Sequence, residues 1–254
     1  KFRTMNLKEH VEKFNLKAIG NIDTNDKDQK ISDAFKPIAL RILSGHFIVQ
    51  KNNSDSFVTV HPTCVEMYYH EEGNGDDKIK DYIVYHRDSD DGNRKKSVFP
   101  VGVLHNHVSG IDITFEKLGD DGNPIRFSAL IKEFWVDKSN KQEENVIEYG
   151  SEDIKAYNKN TPENRSTYLY EALYSQYSAF DGFSIKWEDC KDEEIIKDCL
   201  VEPRMNVAEY KLKETDGNRK KPIRIPKKEA DGMLTKNNKY KQCQRMWRYS
   251  IKQD

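Results

Sequence analysis

The chain has 254 residues, of which 36% are hydrophobic and 33% charged, with a net charge of -1 and a mean hydropathy of -0.90. This length allows one large domain or two small ones, and no apolar stretch approaches the about 20 residues of a membrane-spanning helix. The four cysteines form no CxxC pair, so the composition favours a reducing, intracellular setting such as the cytoplasm over a secreted disulfide framework.

Residues 32–44 predict a short helix, with Ser32 as a candidate cap and Gly45 as its stop. Strand signals rich in β-branched and aromatic residues then follow at 46–50, 57–70, 81–87, 98–108, 110–116 and 125–136. No helical pattern separates these segments, so we expect antiparallel pairing. An apolar stripe over 167–180 predicts a second helix.

These elements predict a single α+β domain over 1–254, with a curved, mainly antiparallel β-sheet flanked by helices. The acidic segment 71–91 and the segment 138–166 are expected to be loops or insertions, because turn-forming and charged residues dominate them.

The strand at 57–70 has an unusual second face. At period two, Val65, Met67 and Tyr69 share the face that can enter a core. The opposite face carries Cys64, Glu66, Tyr68 and His70. A core strand excludes a carboxylate such as Glu66 unless something pairs with it, so this face needs a separate explanation.

Other predicted strands also carry polar faces. If these strands are neighbours, one sheet face gathers a carboxylate, imidazoles, a phenol and an amine, namely Glu66, Tyr68, His86, His105 or His107, and Lys132. Such a set suits general-base chemistry on a planar ligand. The histidines are equally well explained as half-exposed polar positions. A metal site is a further alternative, with donors from His61, His70, His105, His107 and Glu66, but no HExxH spacing occurs and we expect no metal.

The order of several segments resembles the alkyladenine (3-methylpurine) DNA glycosylase family. "ALRILSGHFIV" is similar to its opening helix and first strand, and "VEMYYHEE" to its Glu-x-Tyr strand. "DYIVYHR", "VGVLHNHVSGIDITFE" and "SALIKEF" resemble its Asp…His segment, hairpin and Val-Leu-Ile-Arg-Ala strand. "YEALYSQYSAFDGFSI", "RIPKKEADG" and "MWRYSI" follow in the family's order, so the resemblance runs from about residue 34 to 251.

The resemblance implies roles for individual residues. Glu66 falls on the water-activating carboxylate, and Lys132 replaces an arginine beside the catalytic water. Tyr68 falls on the stacking aromatic and His86 on the pocket histidine. The family's second pocket tyrosine has no counterpart in this chain, which has His105 and His107 in that stretch. Where the family inserts a tyrosine into the duplex, this chain has Ser109, which weakens the case for extracting bases from intact duplex.

The function implied is a monofunctional DNA glycosylase that flips a modified base and needs no cofactor. We expect a monomer that binds duplex or single-stranded DNA and no membrane. Two alternatives remain open, a nucleic-acid-binding relative without activity and a protein-interaction module on the same fold.

Residues 203–254 carry 15 Lys and Arg against 6 Asp and Glu, a net of +9, whereas the first 202 residues carry a net of -10. A basic segment of this kind is typical of a polyanion-binding surface, and equally of a solvated lysine-rich tail. The residues expected to contact phosphates cluster between turn signals: Arg219, Lys220, Lys221, Arg224, Lys227 and Lys228.

Overall fold

The computed structural model describes residues 6–16, 27–73, 78–89, 94–141, 162–205, 207, 209–215, 219–225 and 245–252. These residues form an α+β fold, as predicted. Its helices are α1 (Leu7–Lys13), α2 (Lys27–Ser44) and α3 (Leu169–Tyr174). Its strands are β1 (His46–Lys51), β2 (Phe57–Glu71), β3 (Leu104–His107), β4 (Gly110–Thr114), β5 (Lys117–Leu118), β6 (Pro124–Asp137), β7 (Phe183–Glu188), β8 (Leu200–Glu202), β9 (Glu209–Thr215), β10 (Arg219–Ile225) and β11 (Arg248–Ser250).

Nine of these strands form a curled, antiparallel half-barrel sheet. The main path runs β3–β4–β6–β2–β1–β7, while β11 pairs with β2 and β8, and β5 pairs with β6. Strands β9 and β10 form a separate antiparallel hairpin. The antiparallel pairing predicted from the short connections is therefore confirmed.

Strand β2 lies at the centre of the sheet and is unusually long. It pairs with β6 from Thr59 to Glu71, and on its other edge first with β1 and then with β11. The register with β6 shifts between Pro62 and Val65, where Lys132 has no opposite residue. Such irregularities locally change the direction in which side chains point.

The core lies between α2 and the sheet. Helix α2 buries an apolar stripe, spaced for one helical face, of Ile31, Phe35, Ile38 and Ile42. Val65, Met67 and Tyr69 of β2 belong to the same core, as their predicted face requires. Ser32 lies inside the helix and not at its cap, because α2 begins at Lys27, and its hydroxyl donates to the Met246 carbonyl oxygen at 2.6 Å.

Three predicted elements are shorter than expected or absent. Residues 81–87 form turns, because the Asp81 amide donates to His70 Nδ1 and the Val84 amide to the Asp81 carbonyl oxygen, so neither amide joins a strand ladder. The strand predicted at 98–108 is limited to β3, after a turn in which Gly102 has φ 86°. The helix predicted at 167–180 ends at Tyr174.

Among the described residues, no helix has both the length and the apolar character that crossing a membrane requires. Residues 74–77 and 90–91 of the predicted acidic loop, and 142–161 of the second predicted loop, lie outside the described residues.

Candidate functional site

A cavity of about 770 Å³ opens on the polar face of the sheet. Its walls come from the segment 82–89, from Arg94 and Lys96, and from Ser166, Thr167 and Met205. Its floor is formed by side chains of β2, β4 and β6: Glu66, Tyr68, Asp112, Ser128, Leu130 and Lys132. The polar faces that the sequence predicted on separate strands therefore do meet.

The strand register explains why these side chains converge. One cross-strand row runs from His105 through Asp112, Leu130 and Glu66 to Arg248, each residue opposite the next. Directly opposite residues of an antiparallel pair point to the same face and lie about 5 Å apart. The sheet thus places Glu66 and Asp112 on one surface with Leu130 between them.

Glu66 is a fully buried carboxylate with a fixed orientation. The Tyr68 hydroxyl donates to Glu66 Oε2 at 2.8 Å, and the Met205 amide donates to Oε1 at 2.7 Å. Burial, and next the charge of Glu66, raise the pKa of Tyr68 well above its usual value, so Tyr68 stays a protonated donor. A carboxylate has about four acceptor positions, so these two bonds do not use all of them.

A buried arginine supports this arrangement from behind. Arg204 lies over the Tyr68 ring, 4.7 Å from its centroid, and pairs with Asp81 at 2.7 Å. Because Met205 follows Arg204 directly, the same ion pair positions the amide that contacts Glu66. Sequence reasoning missed both Arg204 and Asp81 as supporting residues.

Lys132 lines the cavity beside Glu66, as the sequence predicted for a shared face. It also borders a smaller cavity of about 300 Å³ with Glu133 and Arg248. Its ammonium group adds positive charge at the floor, where it can attract an anionic ligand.

The three predicted pocket histidines lie in two different environments. His107 lines the cavity and stacks on Tyr85, with ring centroids 4.2 Å apart. His86 and His105 lie behind the cavity wall and are not among its lining residues, with their rings 5.0 Å apart. Burial lowers the pKa of His86 to about 4, so its imidazole is neutral near pH 7.

Sequence reasoning also missed the basic and aromatic wall of the cavity. Arg87, Arg94 and Lys96 line it together with Tyr82 and Tyr85. The strand predicted at 81–87 would turn alternate side chains away from one another, whereas the turns found there direct several of them into the cavity. The signal available in the sequence was the basic run at 94–96 next to the tyrosines.

The predicted DNA contacts are spread over several places. Ser109 lies at the cavity lining, with its hydroxyl 3.1 Å from that of Tyr85. Four others belong to strand β10, namely Arg219, Lys220, Lys221 and Arg224. Lys227 and Lys228 lie outside the described residues.

The thiol on the polar face of β2 is not a nucleophile. Cys64 is buried and accepts a hydrogen bond from Arg248 Nε at 3.1 Å. Burial raises the pKa of its thiol to about 12, so it stays protonated near pH 7.

Comparison of the chain with protein-family models, curated proteins and solved structures gives no match.

Proposed function

We propose that this protein is a monofunctional DNA glycosylase, which hydrolyses the N-glycosidic bond of a flipped, modified base in the cavity. The observation that carries the proposal is Glu66, an oriented carboxylate on the floor of a cavity that an aromatic and basic wall surrounds. The cavity volume falls in the range of about 300–1,000 Å³ that small-molecule sites occupy, which suits a base with its sugar.

In the proposed reaction Glu66 accepts a proton from a water as the water oxygen bonds to C1′ of the sugar. The C1′–N bond breaks and its electron pair leaves with the base. Tyr68 keeps the carboxylate oriented through its hydroxyl group. Tyr85 and His107 offer stacking surfaces for the base, and the cationic side chains Arg87, Arg94 and Lys96 suit the flanking phosphates.

One observation favours a second candidate, a nucleic-acid-binding protein without hydrolytic activity. Glu66 is fully buried and both of its oxygens already accept hydrogen bonds, as a purely structural carboxylate would require. The two candidates differ in base release and not in binding.

The test is Glu66→Gln, assayed for abasic-site formation on single-stranded and duplex DNA with modified bases. The chain offers a matched control in Glu71, which accepts hydrogen bonds from the Tyr69 hydroxyl at 3.1 Å and from the Ile79 amide at 3.0 Å, yet does not line the cavity. We expect Glu66→Gln to bind DNA and to lose base release by a factor of about 10² or more, and Glu71→Gln to keep it.

Base release at the parental rate in folded Glu66→Gln protein would refute the mechanism. Binding without base release by the parent would favour the second candidate. If the parent protein has no affinity for DNA, both the glycosylase and the nucleic-acid-binding candidate are excluded, and a protein-interaction module remains.

A further inference from the structure

A cluster of buried imidazole and carboxylate groups borders the cavity. Potential ligand atoms of His86, His105 and Asp112 all lie within 4.8 Å of one another. Among the described residues, two buried imidazole nitrogens of this cluster have no hydrogen-bond partner, His86 Nδ1 and His105 Nδ1.

The fold brings the cluster together from three segments. His105 of β3 is the register partner of Asp112 of β4, so their side chains share a face. His86 comes from the turn segment at 81–87, which packs over that face. His86 is 1% exposed and Asp112 4%, so solvent cannot satisfy their polar atoms.

An unpaired polar group in a protein interior costs about 1–3 kcal/mol, and here two imidazole nitrogens without partners lie next to a buried carboxylate. A bound cation resolves this arrangement, because imidazole nitrogens and a carboxylate oxygen are all lone-pair donors.

We propose that His86, His105 and Asp112 bind one divalent first-row transition-metal ion, of the zinc or ferrous class. Two imidazoles and one carboxylate are a ligand set typical of such ions in sites that keep open positions. The three ligand atoms would move inward by less than about 1 Å to reach bond lengths of about 2.0–2.2 Å.

Neighbouring residues supply the outer contacts that such a site needs. Glu116 Oε1 lies 2.9 Å from His86 Nε2 and can accept its proton when Nδ1 binds the metal. His107 Nε2 lies 3.3 Å from Asp112 Oδ1 and can orient that carboxylate.

The metal would border the cavity, because Asp112 belongs to its lining. Asp112 and Glu66 are both register partners of Leu130, so their backbones lie about 10 Å apart. The metal site does not rest on the proposed glycosylase activity, and it makes the cavity suitable for a ligand with a metal-binding group.

The experiment is a calorimetric titration of the chelator-treated full chain with Zn²⁺, together with a Co²⁺ titration followed by visible absorption. We expect one equivalent to bind and to raise the melting temperature. The Co²⁺ complex should show d–d bands without thiolate charge-transfer absorption, because the proposed ligands contain no sulfur.

Asp112→Asn and His105→Ala should each weaken Zn²⁺ binding at least tenfold, whereas His46→Gln, on β1 outside the cluster, should bind as the parent does. Asp112→Asn keeps the side-chain shape, so circular dichroism should show a folded protein. Glu66→Gln should bind Zn²⁺ normally, which separates this test from that of the glycosylase. The absence of binding by the parent, or parental affinity in folded Asp112→Asn, would overturn the proposal.

Discussion

Replacing Asp81 by Asn should severely destabilise the protein, because it removes one partner of a buried ion pair. Asp81 and Arg204 have no exposed side-chain surface, and the guanidinium donates to both carboxylate oxygens, at 2.7 and 3.3 Å. Asn has nearly the same shape but cannot balance the charge of Arg204.

The magnitude follows from the burial of both groups. Breaking such a pair while one charge remains costs about 3–5 kcal/mol, out of the roughly 5–15 kcal/mol by which a domain is stable. The decrease in the free energy of unfolding should be smaller in a double variant, Asp81→Leu with Arg204→Met. Replacing both partners by apolar groups leaves no uncompensated buried charge.

The same carboxylate predicts an acid dependence. Burial alone would raise the pKa of Asp81, but Arg204 and then Arg245 outweigh it and keep that pKa below its usual value. The ionised carboxylate therefore stabilises the folded state above about pH 4, and this contribution is lost as the pH falls through the folded pKa. Asp81→Asn should lack this part of the acid unfolding.

The assay is equilibrium unfolding in urea at pH 7 and at stepwise lower pH. Asp121→Asn is the control, because Asp121 pairs with Lys78 at the surface and its removal should leave the free energy of unfolding almost unchanged. A loss below about 1 kcal/mol in Asp81→Asn would refute the reasoning, as would a double variant less stable than the single one.

Three further predictions concern other parts of the molecule. Gly110→Ala should lower the free energy of unfolding, measured in urea, by roughly 1–3 kcal/mol. Gly110 has φ 134°, and an added Cβ would lie 3.1 Å from Leu130 Cδ1. Unchanged stability would contradict this backbone geometry. Burial, and next the charge of His46, lower the pKa of His61 to about 4. As the pH is lowered, the unfolded state therefore binds a proton at this histidine before the folded state does. The free energy of unfolding should fall by about 1–2 kcal/mol as the pH drops from about 6.5 to 4. His61→Phe should flatten that part of the thermal-stability profile, and an identical profile would exclude His61 as the cause. Glutamine should replace the four basic residues of β10, which are Arg219, Lys220, Lys221 and Arg224. Affinity for DNA should then fall for all sequences, and the slope of log affinity against log salt should become shallower by about 0.9 per lost phosphate contact. An unchanged slope would show that these residues do not contact DNA.

The sequence predicted the fold class and the central strand because both depend on local patterns. The alternation around Glu66 identified the two faces of β2, and the short connections indicated antiparallel neighbours. From these, the meeting of Glu66, Tyr68 and Lys132 on one surface could be predicted.

Long-range pairing of side chains could not be predicted in the same way. Residues 81–87 alternate like a strand, yet Asp81 and His86 make their contacts with distant side chains, Arg204 and Glu116. Strand β11 has three residues, too few for a periodic pattern to be visible. The grouping of His86 with His105 and Asp112 could not be predicted for the same reason, because His86 reaches them from a turn and not from a strand.

The position of β11 also determines when the cavity floor can form. Arg248 pairs with Glu66 in register, and its side chain reaches Cys64 across 184 residues of chain. Closing so long a loop is entropically unfavourable, so contacts of this kind form late in folding. The edge of β2 that carries Glu66 therefore stays open during early folding, when the sheet from β1 to β6 can already assemble. Because this pairing joins position 66 to position 248, nearly all of the described chain has to be synthesised before the strand that carries Glu66 is paired on both edges.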